Sequence, residues 1–136
     1  MKSLLPAPWP DAGNLFLRLG TGIAMIVHGW PKITGGTPAW EHSAAVFGVI
    51  GIHFWPVFWG FLVALSQTLG GALIALGFLA RPAALMLGFV MALAAVMVFQ
   101  KTGGNFSDWS HPGEAAVTCF AIFLMGTGRY SLGKSS

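Results

Sequence analysis

Four long apolar stretches dominate the chain and leave it few ways to fold; they run over about 14–33, 54–79, 82–100 and 113–129. A helix needs ~20 residues to cross the hydrocarbon core of a bilayer, within a range of about 17–25. The first three stretches fit, and the fourth is short but extends toward Tyr130. Strict apolar–polar alternation is absent, and lipid cannot satisfy open backbone groups, so helices are the form expected. Only 8% of the 136 residues are charged, against roughly 25% in a soluble domain. Water could not solvate such a surface, so lipid must cover it. The expectation is an all-α integral membrane protein: a single four-helix transmembrane bundle over residues 1–136.

The breaks are clear. Pro31, Gly35, Gly36 and Pro38 are expected to end the first span, and Arg81-Pro82 to separate the second from the third. Proline suits the first turn of a new helix. Gly103-Gly104-Asn105 through His111-Pro112-Gly113 reads as the third connection. The tight second connection makes an antiparallel hairpin of its two helices. Small residues four apart, at Gly20 and Ala24, at Gly71 and Ala75, and at Ala84, Gly88 and Ala92, mark where helices are expected to approach closely. The N-terminal segment lacks the apolar core and cleavage site of a secretory signal, so the first span is expected to act as an uncleaved anchor.

Charge sets the expected orientation. Lys2, Arg18, Arg81, Arg129 and Lys134 fall on one side, while Lys32 and Lys101 fall on the other with Glu41, Asp108 and Glu114. The positive-inside rule places the first group in the cytoplasm, with both termini inside. Five of the six tryptophans fall on the outer side, as an interfacial belt would. The localisation expected is a bacterial cytoplasmic (inner) membrane, crossed several times. The net charge of +3 carries no basic stripe, which argues against nucleic acid. The single cysteine, Cys119, excludes an internal disulfide, a CxxC pair and a thiolate cluster within the chain.

Polar groups inside a span are costly, so each asks for a reason. Arg18 lies about one turn inside the first helix and reads as a side chain snorkelling to the inner headgroups. His28 and Lys32 are four apart near the outer end of that helix and share a face. His111 and Glu114 stand at the outer start of the fourth, and Gln67 sits midway along the second. Gln67 reads equally as an interhelical hydrogen bond or as a donor to a ligand carbonyl. All four histidines and three of the four acids fall on the outer side, so the outer mouth of the bundle is the candidate site, with His28, Lys32, Gln67, His111 and Glu114 as ligand-binding residues. No tight metal-ligand spacing is present, so the metal assignment is none and haem is the weaker alternative.

The segment LRLGTGIAMIVHGWPKI, Leu17 to Ile33, carries an arginine that opens a helix and an HG-x-x-K element that closes it. SQTLGGALIALGFLARPAALML, Ser66 to Leu87, carries GG-x-x-x-x-x-G-x-x-x-R, and GGNF, HPGEAA and GTGRYSLG follow in order. Together these resemble the DoxX family of small four-helix membrane proteins, from about Leu15 to Leu132. Two positions depart from the pattern: the family often has glutamate where Gln67 stands and aspartate where Gly133 stands. A proton relay at Gln67 is thereby put in doubt, while hydrogen bonding is kept.

The resemblance implies redox work, since relatives include a subunit of a thiosulfate:quinone oxidoreductase and others that look like anchors for thiol-handling partners. The leading expectation is a membrane subunit of a quinone- or thiol-linked redox system, with a quinone-like molecule in the bundle mouth as candidate cofactor; whether the chain is itself an enzyme is left open. Its partners would be the bilayer and either a second protein or further copies of itself. The alternative is a non-catalytic anchor or assembly factor, and a small transporter or channel ranks below both.

Overall fold

The computed structural model describes residues 9–127 and 131–132, and among them the chain is entirely helical. Five α-helices follow one another: α1 (Trp9–Thr34), α2 (Gly36–Ser43), α3 (Pro56–Leu76), α4 (Ala80–Thr102) and α5 (Phe106–Met125). A 3-10 helix, Ala44–Ile50, joins on directly after α2. Lys2, Arg129 and Lys134, which contribute to the expected orientation, lie outside the described residues.

The punctuation explains most boundaries. Pro56 occupies the first turn of α3, where its missing N–H would have had no partner. Gly77 ends α3 in the left-handed region at φ 74°, donating its N–H back to the carbonyls of Leu73 and Ile74. The turn to α4 is then only Gly77–Leu79, which makes α3 and α4 a tight antiparallel hairpin.

Two prolines do not break their helices. Pro31 lies inside α1, which runs on to Thr34. Pro112 lies inside α5, which begins at Phe106 rather than near Gly113. The start of α5 is set by Asn105, whose side chain accepts from the Ser107 N–H at 3.3 Å and donates to Asp108 Oδ2 at 2.9 Å. A cap followed by a first-turn acid is a stronger start signal than one missing hydrogen bond is a stop. The long connection after α1 is not an irregular loop: α2 and the 3-10 helix pack against α3, and the 3-10 helix also reaches α4.

Among the described residues, α3 and α4 are long and apolar enough to cross a membrane. α1 and α5 are as long but carry more polar residues, α1 with Asp11, Asn14, Arg18, His28 and Lys32, and α5 with a polar first turn gained by its early start. α1 packs chiefly on α3 and α5 on α4, the hairpin joins the two pairs, and α1 touches α5 only lightly. The core between them centres on Met25, Ile74, Leu87, Met91, Cys119 and Ile122. A second cluster, Val46, Phe47, Val63, Val90 and Leu93, sits beneath the 3-10 helix.

The α1–α3 contact uses other small residues than those expected on α1. Gly22 lies against the Gly71 carbonyl and Ala75, and a Cβ on Gly29 would stand 2.7 Å from that of Gln67. Gly20 and Ala24 are exposed instead. The expected Gly71 and Ala75 do meet Gly22, and Gly88 lies under the Phe120 ring. Gly22→Val should therefore force α1 from α3 at a cost of about 1–3 kcal/mol, the usual range for overpacking. Gly20→Val should leave stability nearly unchanged. Thermal unfolding of both variants in mild detergent, followed by circular dichroism, checks the contrast.

Candidate functional site

The two ends of the bundle are chemically different. At the end where α3 finishes, Arg18 is fully buried. Its Nε donates to Asn14 Oδ1 at 2.8 Å, and its Nη1 donates to the carbonyls of Ile74 and Ala75, each at 3.2 Å. Asn14 Nδ2 in turn donates to the Gly126 carbonyl at 3.0 Å. The expected snorkelling of Arg18 is thus corrected. The last carbonyls of a helix lack intrahelical partners and carry the negative end of its dipole. The guanidinium, with several donors in a rigid fork, satisfies them from within the protein. One residue pair on α1 so ties down the C-terminal ends of α3 and α5.

At the opposite end, Lys32 turns inward. Its Nζ donates to Gln67 Oε1 at 3.0 Å, and Gln67 Nε2 faces Met91 Sδ at 3.7 Å, a weak hydrogen bond to sulfur. This chain of contacts links α1, α3 and α4. Gln67 is buried and Lys32 half-buried. Beside them opens a cavity of about 220 Å³ whose polar lining is His28, Lys32, His42, Ser43, Gln67 and His111, set among valine and methionine side chains. The rings of His28 and His111 meet edge to face, with centroids 5.1 Å apart and planes at 75°. That contact brings α1 and α5 together across the mouth.

Four of the residues singled out in the sequence, His28, Lys32, Gln67 and His111, line this one cavity. Glu114 does not. It lines a neighbouring hollow of about 260 Å³ between α1 and α5, which shares His28 and His111 with the first. Three residues on from His111 along α5, Glu114 shares that hollow with it and does not reach the Lys32 cavity. His53 lines a third hollow with Glu41 and Trp59, outside the Lys32–Gln67 cavity. His42 and Ser43 belong to the cavity but were not singled out, because the connection that carries them has no long apolar period. The signal available was Pro38 followed by Ala39-Trp40-Glu41, a first-turn pattern for a short helix. Among the described residues no group of three or more His, Cys, Asp or Glu side chains is placed to hold a metal ion. The cavity offers neutral and cationic hydrogen-bond donors in an apolar wall.

The DoxX family model matches residues 13–100. The chain belongs to the DoxX family. The match takes in α1 to α4 almost entirely, and with them His28, Lys32, His42 and Gln67, while α5 with His111 and Glu114 lies beyond it. This is a membrane family, in keeping with the apolar α3 and α4. A curated protein of Bacillus subtilis (strain 168), named "Putative oxidoreductase CatD", is 36% identical over 67 residues. That alignment covers 49% of this chain and 45% of the Bacillus protein, so the chain spans about half the length of the relative it matches. No solved structure matches.

Removing the guanidinium leaves the Ala75 carbonyl and Asn14 Oδ1 without this donor and the Ile74 carbonyl with the Gly77 N–H alone; a buried group left unsatisfied costs about 1–3 kcal/mol. Arg18→Leu should therefore lower the melting temperature in detergent clearly. Arg18→Lys should restore only part of the loss, because one ammonium cannot span the same fork of acceptors.

Proposed function

We propose that this DoxX protein is a membrane subunit of a quinone- or thiol-linked redox system, and that the cavity beside Lys32 and Gln67 holds the polar ring of a quinone-like lipid. In this reading the chain crosses a bacterial cytoplasmic membrane four times, as α1, α3, α4 and α5, with both termini inside. Arg18 and Arg81 then mark the cytoplasmic end, and Lys32, Lys101, Glu41, Asp108 and Glu114 the outer end. The outward faces of α1 and α5, with Phe16, Ile23, Val27, Val117 and Leu124 exposed, suit contact with lipid tails. The similarity to the Bacillus protein named as an oxidoreductase supports the redox assignment.

The observation that carries the reading is the inward turn of Lys32. A lysine one turn from a helix end can extend into the headgroup layer. This one instead reaches Gln67, where its ammonium keeps further N–H donors for an acceptor in the cavity. A quinone ring has two carbonyl oxygens at opposite edges. Lys32 would donate to one, and an N–H of His28, His111 or His42 to the other. Such donors suit the oxygens, where negative charge gathers as the ring is reduced. Reduction of the ring takes two electrons and two protons; the electrons would come from a redox partner. The histidines are the groups able to pass protons there. Gln67 orients Lys32 and does not titrate.

A second reading is supported by the same contact. Lys32 and Gln67 satisfy each other, which is what a bundle that only anchors a partner protein would need. The two readings separate on ligand retention. His28→Ala combined with Lys32→Ala should lower the quinone held by the protein in lipid nanodiscs by about tenfold or more, a loss of ~1.4 kcal/mol. The far-ultraviolet circular dichroism should keep its helical signal. Ultraviolet difference spectra of oxidised and reduced samples measure the bound quinone. Unchanged retention would remove the ring from this cavity and leave the anchor.

A further inference from the structure

The hollow between α1 and α5 is distinct from the cavity at Lys32 but shares its wall. His28 and His111 line both, the cavity on one side and the hollow on the other. Away from the histidines the hollow runs along Gly20 and Ala24 of α1 and Thr118 of α5, with Glu114 at its polar end. Resting on the reading of the cavity as a ring site, we propose that this hollow is the path of the ligand's apolar tail, which leaves the cavity past the histidine pair and lies between α1 and α5 toward the middle of the membrane.

Size is the first argument. The cavity is about 220 Å³ and the hollow about 260 Å³. Each alone falls below the ~300–1,000 Å³ of usual ligand sites, and together they fall within it. The cavity has room for a head group and none for a long tail. Shape is the second argument. From His28 to Gly20 is eight residues along a helix, or about 12 Å at ~1.5 Å per residue. Half of a ~30 Å hydrocarbon core is ~15 Å, so the hollow spans most of one leaflet. The hollow is thus long enough to take an extended hydrocarbon chain laid along α1 and α5.

Polarity is the third argument. His28, His111 and Glu114 all stand at one end; toward the other the lining is Gly20, Thr21, Ala24, Met25 and Thr118, uncharged throughout, with the Thr118 hydroxyl donating back to the Glu114 carbonyl at 2.9 Å. An amphiphile with its head at the histidines and its tail toward Gly20 matches that gradient. The small residues are not there for packing within the chain: a Cβ on Gly20 would meet nothing within 4 Å, and α1 touches α5 only lightly. Filling this seam with a side chain would be sterically easy, yet the seam stays open where the neighbouring outward positions carry Leu19, Ile23 and Val27.

The test compares two rings in nanodiscs of quinone-free phospholipid: a methylated benzoquinone without a tail, and the same ring carrying a decyl tail. Binding is read from quenching of tryptophan fluorescence, with concentrations expressed per lipid so that partitioning cancels. The wild-type protein should prefer the tailed ring by about tenfold. Gly20→Leu combined with Ala24→Leu should erase that preference and keep the affinity for the tailless ring within about twofold. Thr118→Leu, on the opposite wall, should do the same and guards against a folding defect in the first variant. A preference that survives both fillings, or a wild type that binds both rings equally, overturns the tail path while leaving the ring site standing. A change of oligomeric state with the preference intact marks the seam as an interface between copies and also overturns it. A wild type that binds neither ring overturns the ring site, and the tail path with it.

Discussion

The seam between α1 and α3 is the contact on which the rest depends. Asn14, Arg18, Gly22, Met25, Gly29 and Lys32 recur at spacings of four and three along α1, which keeps them on one face. The glycines in the middle let the two helices come close, with Gly22 against the Gly71 carbonyl and Gly29 against Gln67 and Thr68. Closeness is what allows the two cations at the ends to act. Arg18 reaches the last carbonyls of α3, and Lys32 reaches Gln67, because no methyl group holds the backbones apart. In an apolar surrounding an unpaired polar group costs several kcal/mol, so these contacts fix the register of α1 on α3. A slip of one turn would break both ends at once.

The same seam gives the two ends of the molecule different duties. At the Arg18 end the guanidinium and Asn14 bond one another and reach the main-chain carbonyls of Ile74, Ala75 and Gly126 at neighbouring helix ends. That arrangement is closed: it serves the backbone. At the Lys32 end the partner is one side-chain oxygen, and α2 with the 3-10 helix covers the mouth, adding His42, Ser43 and Val46 to the wall. An apolar space with a few convergent donors is how ligand sites are usually built. The contrast between a closed network and an open one, on one helix, is the main reason to look for chemistry at the histidine end.

The helices were legible because long apolar runs leave little alternative, and the α3–α4 hairpin because Arg81-Pro82 leaves so few residues to turn, although the turn itself comes earlier, at Gly77–Leu79. Pro31 and Pro112 misled, since one lost hydrogen bond does not stop a helix whose flanks are held by packing and by the Asn105 cap. Gly20 and Ala24 misled by two residues. At ~100° per residue, that offset turns a side chain about 200° away, from the α3 face to the open one. Arg18 misled because its carbonyl acceptors, Ile74 and Ala75, belong to a helix 56 and 57 residues further along, which no local pattern shows. The polar residues of the candidate site were legible for a different reason: His28, Lys32 and Gln67 are anomalies in apolar runs, and His111 stands at the outer start of the fourth. Glu114 fell on the far side of the histidine pair, and His42 was hidden in a connection whose fold is imposed by α3.

The residue at position 67 then shapes what the site can hold. Relatives with a glutamate there would set a carboxylate against the lysine, and the pair would largely neutralise itself. Glutamine accepts the same hydrogen bond at 3.0 Å but leaves the ammonium charge uncompensated by its partner. Among the described residues no acid is paired with Lys32 either. A cation kept in a half-buried place favours a ligand that carries or develops negative charge. A ring whose oxygens become more negative as electrons arrive gains from that cation most in its reduced form. The loss of the titratable group at position 67 therefore does not argue against redox chemistry at the cavity. On the proposed reading it would move proton handling to the histidines and leave Lys32 as the electrostatic contact that favours the reduced ring over the oxidised one.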